Sequence, residues 1–103
     1  MSIDWFRLDG KIPVRLPPGE YPRRDRDNWR VGRTPVGKDV EVSTVFLGLD
    51  HRFEDGPPIL FETLVFGGPL DQSGDRYCTW EEAEEGHARW VKAAGGESDG
   101  LGI

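Results

Sequence analysis

The amino-acid sequence predicts an α+β fold, in which an antiparallel sheet of three to five strands carries one C-terminal amphipathic helix on one face. Two observations lead to this prediction. Residues 39–47 and 59–66 alternate as strands do, and residues 80–94 repeat apolar side chains at the helical period. A chain of 103 residues can close one core of modest size, so we expect a single domain over residues 1–94.

A hairpin is predicted at the start of the chain, with short strands near residues 4–8 and 11–16. Asp9-Gly10 separates them, and such a dipeptide favours hairpin turns because glycine adopts positive φ at little cost. Pro13 cannot donate to a central ladder, so the second strand is expected at an edge. Proline and charge then dominate residues 17–28, which we predict to be an exposed loop.

An extended segment is predicted over residues 28–36, with Trp29, Val31 and Arg33 on one side. The next strand, residues 39–47, begins after a turn at Gly37. We expect its alternate residues from Val40 to Phe46 to face the core.

The strand at residues 59–66 pairs with residues 39–47 as the centre of the predicted sheet. Glu62 is its single charged residue, as expected of a strand that other elements cover. A polar connection, residues 48–58, joins the two strands and is longer than an ordinary hairpin loop. Residues 70–76 are predicted to be a second loop.

The helix is predicted from its cap and from its apolar face. Thr79 and Glu82 form a capping box, in which the Thr79 hydroxyl accepts from the Glu82 amide and the Glu82 carboxylate accepts from the Thr79 amide. The face that should meet the sheet consists of Trp80, Ala83, His87, Trp90, Val91 and Ala94. Gly95-Gly96 ends the helix, and residues 95–103 are expected to form a flexible glycine-rich tail.

Composition excludes several classes of function. No run approaches the roughly 18 to 20 apolar residues of a membrane span, and no secretory signal opens the sequence, so we expect a cytoplasmic protein without membrane contact. Cys78 is the single cysteine and cannot form an intramolecular disulfide. We also expect no cofactor, because the chain has no glycine-rich phosphate loop.

The charge is unevenly distributed along the chain. Residues 1–38 hold nine Lys/Arg and five Asp/Glu, whereas residues 39–103 hold four and fourteen. Basic loops lying against an acidic helix explain this division, and a charged surface that faces a partner is the alternative. Arginines such as Arg24 and Arg26 could follow phosphates, but the net charge of -6 argues against nucleic-acid binding.

Four side chains are candidates for catalysis or metal binding: Asp50 and His51 in the long loop, Glu62 on the following strand and His87 on the helix. Imidazole and carboxylate together suit general acid–base chemistry. Their spacing matches no zinc motif, so we predict no metal site.

A structural interpretation of the same side chains stands beside the catalytic one. In it Asp50 caps a turn, His51 hydrogen-bonds within its loop, and His87 is a core residue paired with a backbone carbonyl or with a carboxylate such as Glu62. A recognition role for Asp50, His51 and Arg52 is the remaining alternative for the loop. Gly86, beside His87, is expected to allow a close contact because glycine destabilises a helix by about 1 kcal/mol relative to alanine.

Three segments resemble a known group of proteins. They are Val42-Ser-Thr-Val-Phe-Leu-Gly-Leu-Asp-His-Arg-Phe, Leu60-Phe-Glu-Thr-Leu-Val-Phe-Gly-Gly and Arg76-Tyr-Cys-Thr-Trp-Glu-Glu-Ala. In this order they resemble small uncharacterised proteins of tailed bacteriophages and prophages, many from actinobacterial hosts. The resemblance spans roughly residues 29–93 and implies no particular chemistry. Serine is common in that group at the position of Cys78, which implies that this thiol is not an essential nucleophile.

The function expected from the sequence is therefore that of a small phage-type accessory protein in the cytoplasm of an infected bacterial host. It would bind a host or phage protein, or a second copy of itself, without catalysis. Asp50, His51, Arg52, Arg24 and Arg26 are its candidate binding residues. The alternative is a small enzyme or metal-binding domain that uses Asp50, His51, Glu62 and His87.

Overall fold

A computed structural model of the protein describes residues 4–22, 29–51 and 55–95, and these residues have the predicted α+β architecture. Their strands are β1 (Phe6–Asp9), β2 (Ile12–Arg15), β3 (Arg30–Val36), β4 (Val40–Phe46), β5 (Phe61–Phe66) and β6 (Gly74–Tyr77). The helix α1 (Trp80–Ala93) follows β6 and packs against the sheet formed by β3 to β6. The predicted binding residues Arg24, Arg26 and Arg52 lie outside the described residues, as does the predicted tail from Gly96 onward.

The four strands β3 to β6 form one antiparallel sheet in sequence order, so β4 and β5 are its central pair, as predicted. Val42, Thr44 and Phe46 of β4 are fully or almost fully buried, which confirms the predicted core face of this strand. On β5 the buried residues are Phe61 and Val65 together with Thr63 between them. This face carries α1.

The core is a line of aromatic contacts that crosses the sheet and reaches the helix. The ring centroid of Phe46 lies 5.1 Å from that of Trp29 and 5.4 Å from that of Phe61. The Phe61 ring in turn lies 6.2 Å from the ring of Trp80 at the start of α1, in an edge-on arrangement. Such pairs contribute beyond the apolar area that they bury, typically by about 0.5–1.5 kcal/mol each.

The predicted N-terminal hairpin is present as a separate two-stranded sheet, with β1 paired antiparallel to β2. Gly10 has φ of 64°, which is the positive value that its turn requires. Phe6 joins the core, and its backbone N–H donates to the carbonyl of Gly48 at 2.7 Å. The hairpin is thereby attached to the segment that follows β4.

Strand β3 departs from the predicted arrangement because its register with β4 shifts between Arg30 and Gly32. Trp29 and Val31 pack against the core, but Arg33 lies opposite Ser43 on the other face. The prediction that Arg33 shares a side with Trp29 and Val31 is wrong, because a bulge changes the alternation of side chains along a strand.

Strand β6 was predicted to be part of a loop, and this prediction is wrong. Its exposed residues Gly74, Asp75 and Arg76 carry no apolar pattern, yet they pair with β5 through the backbone. A Cβ atom at Gly74 would overlap the carbonyl oxygen of Thr63, so only glycine fits this approach of the two strands. Backbone hydrogen bonds to the neighbouring strand can hold an edge strand that has few apolar side chains.

The helix confirms its prediction closely. Both hydrogen bonds of the Thr79 and Glu82 capping box are present, and the helix ends at Ala93 with Gly95 at φ of 102°. The apolar stripe faces the sheet, and the buried residues of the helix are Ala83, which belongs to the stripe, and Gly86 beside it. Contacts of α1 reach all four strands, so the helix crosses one face of the sheet from edge to edge.

Candidate functional site

Asp50 has a structural contact within the long loop. Its Oδ1 accepts a hydrogen bond from the backbone N–H of Ile59 at 3.0 Å, and this bond ties the two ends of the long loop together. The backbone N–H of His51 donates to the carbonyl of Ile59 at 2.9 Å, next to that contact. Asp50 and His51 thus belong to the closure of the loop between β4 and β5.

Glu62 lies on the face of the sheet that is opposite α1. It pairs across the strands with Val45 and Arg76, and its carboxylate accepts from the Arg76 guanidinium at 3.0 Å. His87, in contrast, contacts the helix-covered face. The alternative in which Glu62 pairs with His87 is therefore wrong, because the sheet lies between the two side chains.

His87 is held by two threonine hydroxyls instead. Its Nε2 lies 2.8 Å from Oγ1 of Thr34 on β3, and its Nδ1 lies 2.8 Å from Oγ1 of Thr44 on β4. Thr44 contacts the hydroxyl of Thr63, to which the Tyr77 hydroxyl donates at 3.1 Å. A chain of polar groups therefore crosses the interface between helix and sheet, and we call these five residues the polar chain.

One direction of donation uses every proton of the polar chain. If Thr63 donates to Thr44, and Thr44 donates to Nδ1 of His87, then each hydroxyl from Tyr77 onward donates its proton to the next group. The ring proton then sits on Nε2 and is donated to Thr34. Hydrogen bonds that run in one direction strengthen each other, and in this arrangement His87 carries its ring proton on Nε2.

Burial lowers the pKa of His87 below its ordinary value of 6.5, and the ring is therefore neutral at pH 7. Burial also raises the pKa of Tyr77, against the opposing effect of its hydrogen bond to Thr63. Both groups are thus uncharged at neutral pH, which suits a structural network of neutral hydrogen bonds.

Two glycines make room for the polar chain. A Cβ atom at Gly86 would overlap the hydroxyl and ring of Tyr77, and one at Gly32 would lie 3.0 Å from Nε2 of His87. The close contact expected at Gly86 is thereby identified as the contact with Tyr77. The helix accepts an unfavourable residue at this position because the Tyr77 hydroxyl reaches Thr63 beneath it.

Cys78 lies immediately before the helix cap in an environment that disfavours a thiolate. Burial raises the pKa of its thiol, and the carboxylates of Glu82 and Asp50 raise it further. The Glu82 carboxylate also accepts from the Cys78 backbone N–H at 3.0 Å. Burial and the acidic surroundings thus both keep this thiol protonated.

No cluster of three or more metal-type side chains occurs in residues 4–22, 29–51 and 55–95. Asp50 is used in loop closure, Glu62 in an ion pair and His87 in the polar chain. The structure does not gather these three groups at one place.

The face of the sheet opposite α1 is the second feature with functional potential, and we call it the open face. Directly paired residues of an antiparallel sheet share a face, so the register defines its members. They are Arg30, Arg33, Pro35, Glu41, Ser43, Val45, Glu62, Leu64, Phe66 and Arg76. None of the other described helices or strands packs against these residues in the way that α1 packs on the covered face.

Local pairs order the charges of the open face. Arg33 forms an ion pair with Glu41, Arg76 pairs with Glu62, and Arg30 donates to the hydroxyl of Ser43 at 3.1 Å. Between these pairs Val45 and Leu64 are half-buried. Phe66, at the end of β5, is 44% exposed.

Sequence reasoning identified His87 but missed the threonines of the polar chain. Thr44 and Thr63 stand at inward positions of two neighbouring strands, where a polar residue requires a partner. This was the available signal that a hydrogen-bonding side chain from the helix meets them. Thr34 had no such signal, because the bulge in β3 determines the face on which it lies.

No helix among the described residues is long and apolar enough to cross a membrane. In comparisons with known proteins, no family model, no curated protein and no solved structure matches the chain.

Proposed function

We propose that this chain is a small phage-type accessory protein that acts without catalysis, by binding another protein through its open face, in the cytoplasm of an infected bacterial host. The observation that supports this proposal is a contrast between the two faces of the sheet. One face is filled by α1 and the polar chain, whereas the other presents Leu64, Val45 and Phe66 among three arginines.

The side chains best suited to catalysis, His87 and Glu62, are each held in a structural contact. This favours a binding role over catalysis. His87 is bonded through both ring nitrogens to threonine hydroxyls, and burial lowers its pKa. Glu62 accepts from Arg76 on the open face. General acid–base catalysis needs such groups within hydrogen-bond reach of one substrate atom, and the sheet lies between these two.

The composition of the open face resembles that of a protein-binding surface. Arginine and aromatic side chains are enriched at such surfaces, and an apolar centre with a polar rim is their usual arrangement. Two of its three arginines are ion-paired with Glu41 and Glu62 of the same face. These pairs leave less positive charge for a phosphate backbone, which favours a protein partner over a nucleic acid.

The charge of the open face also defines the chemistry of its partner. The face holds three arginines and two glutamates, although the whole chain has a net charge of -6. It is thus a part of the described surface that a neighbouring acidic protein can approach. We expect a partner that places an apolar side chain against Leu64 and carboxylates near Arg30.

Affinity purification of the tagged protein from its host, read out by mass spectrometry and by nucleic-acid sequencing, tests this proposal. Leu64→Glu places a charge at the centre of the open face. Ile12→Glu is the matched control, because Ile12 is 67% exposed on the separate hairpin. The proposal predicts that one protein is captured by the wild type and the control and is lost with Leu64→Glu. Equal capture by all three forms, or recovery of nucleic acid alone, would contradict it.

A further inference from the structure

The polar chain connects the two edges of the sheet beneath α1. At one end Thr34 lies on the edge strand β3, and at the other end Tyr77 lies on the edge strand β6. Thr44 and Thr63, in the middle, are fully buried, so water cannot replace a partner of either hydroxyl. The direction in which each of these hydroxyls donates therefore depends on the groups on both sides of it.

A proton taken up by His87 changes the role of its Nδ1 atom. In the neutral ring this nitrogen accepts from Thr44, whereas in the imidazolium both nitrogens donate. The hydroxyl of Thr44 must then accept from Nδ1 and give its own proton to its other partner, Thr63. Thr63 can no longer donate to Thr44, and its remaining partner is the hydroxyl of Tyr77. The Nε2 atom donates to Thr34 in both states.

At Tyr77 the reversed donation leaves the core. The phenol then accepts from Thr63, so its own proton needs a new acceptor. Asp75 is paired with Thr63 across the strands, so its side chain lies on the same covered face, where one carboxylate oxygen accepts from the indole of Trp90 at 2.9 Å. Burial raises the pKa of Tyr77, and the negative charge of Asp75 raises it further, which places the two groups near each other. Asp75 is thus the acceptor at the outer end.

We propose that protonation of His87 reverses the direction of donation along the whole polar chain, and that the fold thereby contains a pH-sensitive switch that connects α1 with the edge strand β6. Every hydroxyl of the polar chain has an acceptor in both directions. The imidazolium is therefore accommodated by the rotation of three hydroxyl groups, while the ring and the backbone stay in place. The switch is independent of the proposed function, because its groups lie on the covered face.

The ring of His87 meets uncharged groups on the strands that it contacts. On β3 these are Thr34 and the backbone at Gly32, and on β4 the contact is Thr44. The charged residues of β3, β4 and β5 lie on the open face and are Arg30, Arg33, Glu41 and Glu62. On β6 the titratable groups that face α1 are Asp75 and Tyr77. The charged residues of α1 within one turn of His87 are exposed and are Glu84, Glu85 and Arg89.

The switch operates in acid. Burial lowers the pKa of His87 from 6.5, so the neutral ring, with donation that starts at Tyr77, is the state at pH 7. The reversed state becomes populated as the pH falls through this lowered pKa. Proton uptake on the helix is then accompanied by a change in the hydrogen bonds of the phenol at the far edge of the sheet.

Nitrogen NMR of the imidazole ring tests the reversal. His51→Ala leaves His87 as the single histidine of the chain, so its ring signals can be followed over roughly pH 4 to 8. We expect the neutral ring to carry its proton on Nε2. Adding Tyr77→Phe removes the acceptor that Thr63 needs in the reversed state. A buried donor without a partner is unfavourable, so the proton-binding constant of His87 should fall by about tenfold.

Thr63→Val and Thr63→Ser are a matched pair for the same measurement. Valine keeps the shape of threonine but has no hydroxyl, so Thr44 loses its acceptor and the proton-binding constant of His87 should again fall by about tenfold. Serine keeps the hydroxyl, and the constant should stay within about twofold of the wild-type value. A loss of packing alone would affect serine, which lacks the methyl group, more than valine.

An unchanged proton-binding constant in Tyr77→Phe and in Thr63→Val would overturn the inference, as would a neutral ring with its proton on Nδ1. Unfolding of the wild type in acid before His87 takes up a proton would also overturn it, because a chain that reverses keeps its hydrogen bonds. The inference is supported if Tyr77→Phe and Thr63→Val both weaken proton binding and Thr63→Ser does not.

Discussion

Replacement of His87 by alanine is the perturbation that tests the polar chain most severely. The change removes two hydrogen bonds of 2.8 Å, to Thr34 and Thr44, and leaves the fully buried Thr44 hydroxyl with one partner fewer. Each such bond contributes about 1 kcal/mol net. The space left by the half-buried ring adds a cost of about 1–2 kcal/mol.

The sum is about 3–4 kcal/mol, a large share of the roughly 5–15 kcal/mol by which a domain of this size is stable. Urea denaturation at pH 7.5, followed by tryptophan fluorescence and by circular dichroism, measures the loss. An unchanged slope of the free energy of unfolding against urea concentration would show that the variant unfolds from a native state of similar compactness.

His51→Ala is the matched control, because it removes the same side chain from the loop after β4. We expect its free energy of unfolding to stay within about 0.5 kcal/mol of the wild type. An effect of His87→Ala below about 0.5 kcal/mol, or an equal effect of both changes, would refute the placement of His87 between the two threonines.

Three further predictions concern pH and the helix. Because burial lowers the pKa of His87 from 6.5, the unfolded chain takes up a proton first, so the free energy of unfolding should fall as pH drops below about 6.5. His87→Ala should reduce that part of the pH dependence in urea titrations at several pH values. Gly86→Ala should lower the melting temperature, although alanine favours helices. The added methyl group meets Tyr77, and such overpacking costs about 1–3 kcal/mol. A rise in melting temperature would contradict the contact. Thr79→Ala should cost about 1 kcal/mol through loss of the cap, as measured by urea denaturation, and an unchanged stability would contradict the capping box.

The elements that sequence reasoning predicted well are those defined by local patterns. The capping box and the apolar stripe of α1 lie within 16 residues, and the alternation in β4 and β5 repeats every second residue. Such patterns need no knowledge of the rest of the chain. Strand β6 was not predicted because its pairing depends on the close approach of the Gly74 backbone to β5. Such an approach produces no apolar pattern in the sequence.

The partners of His87 could not be predicted in the same way. Thr44 and Thr34 precede it by 43 and 53 residues, and the bulge in β3 decides which β3 side chains face the helix. The apolar residues on both sides of β4 and β5 also suggested cover on both faces. Whether another element covers the second face depends on the whole fold, and the alternation of apolar residues along one strand does not predict it.

The most direct test of the proposed function asks which face of the sheet touches the partner in the host cell. A photo-reactive amino acid is placed at Leu64 on the open face and, in a separate variant, at the exposed position Glu84 on α1. We predict a cross-linked protein of defined mass from position 64 and little or none from position 84. A defined product from position 84 with none from position 64 would contradict binding through the open face.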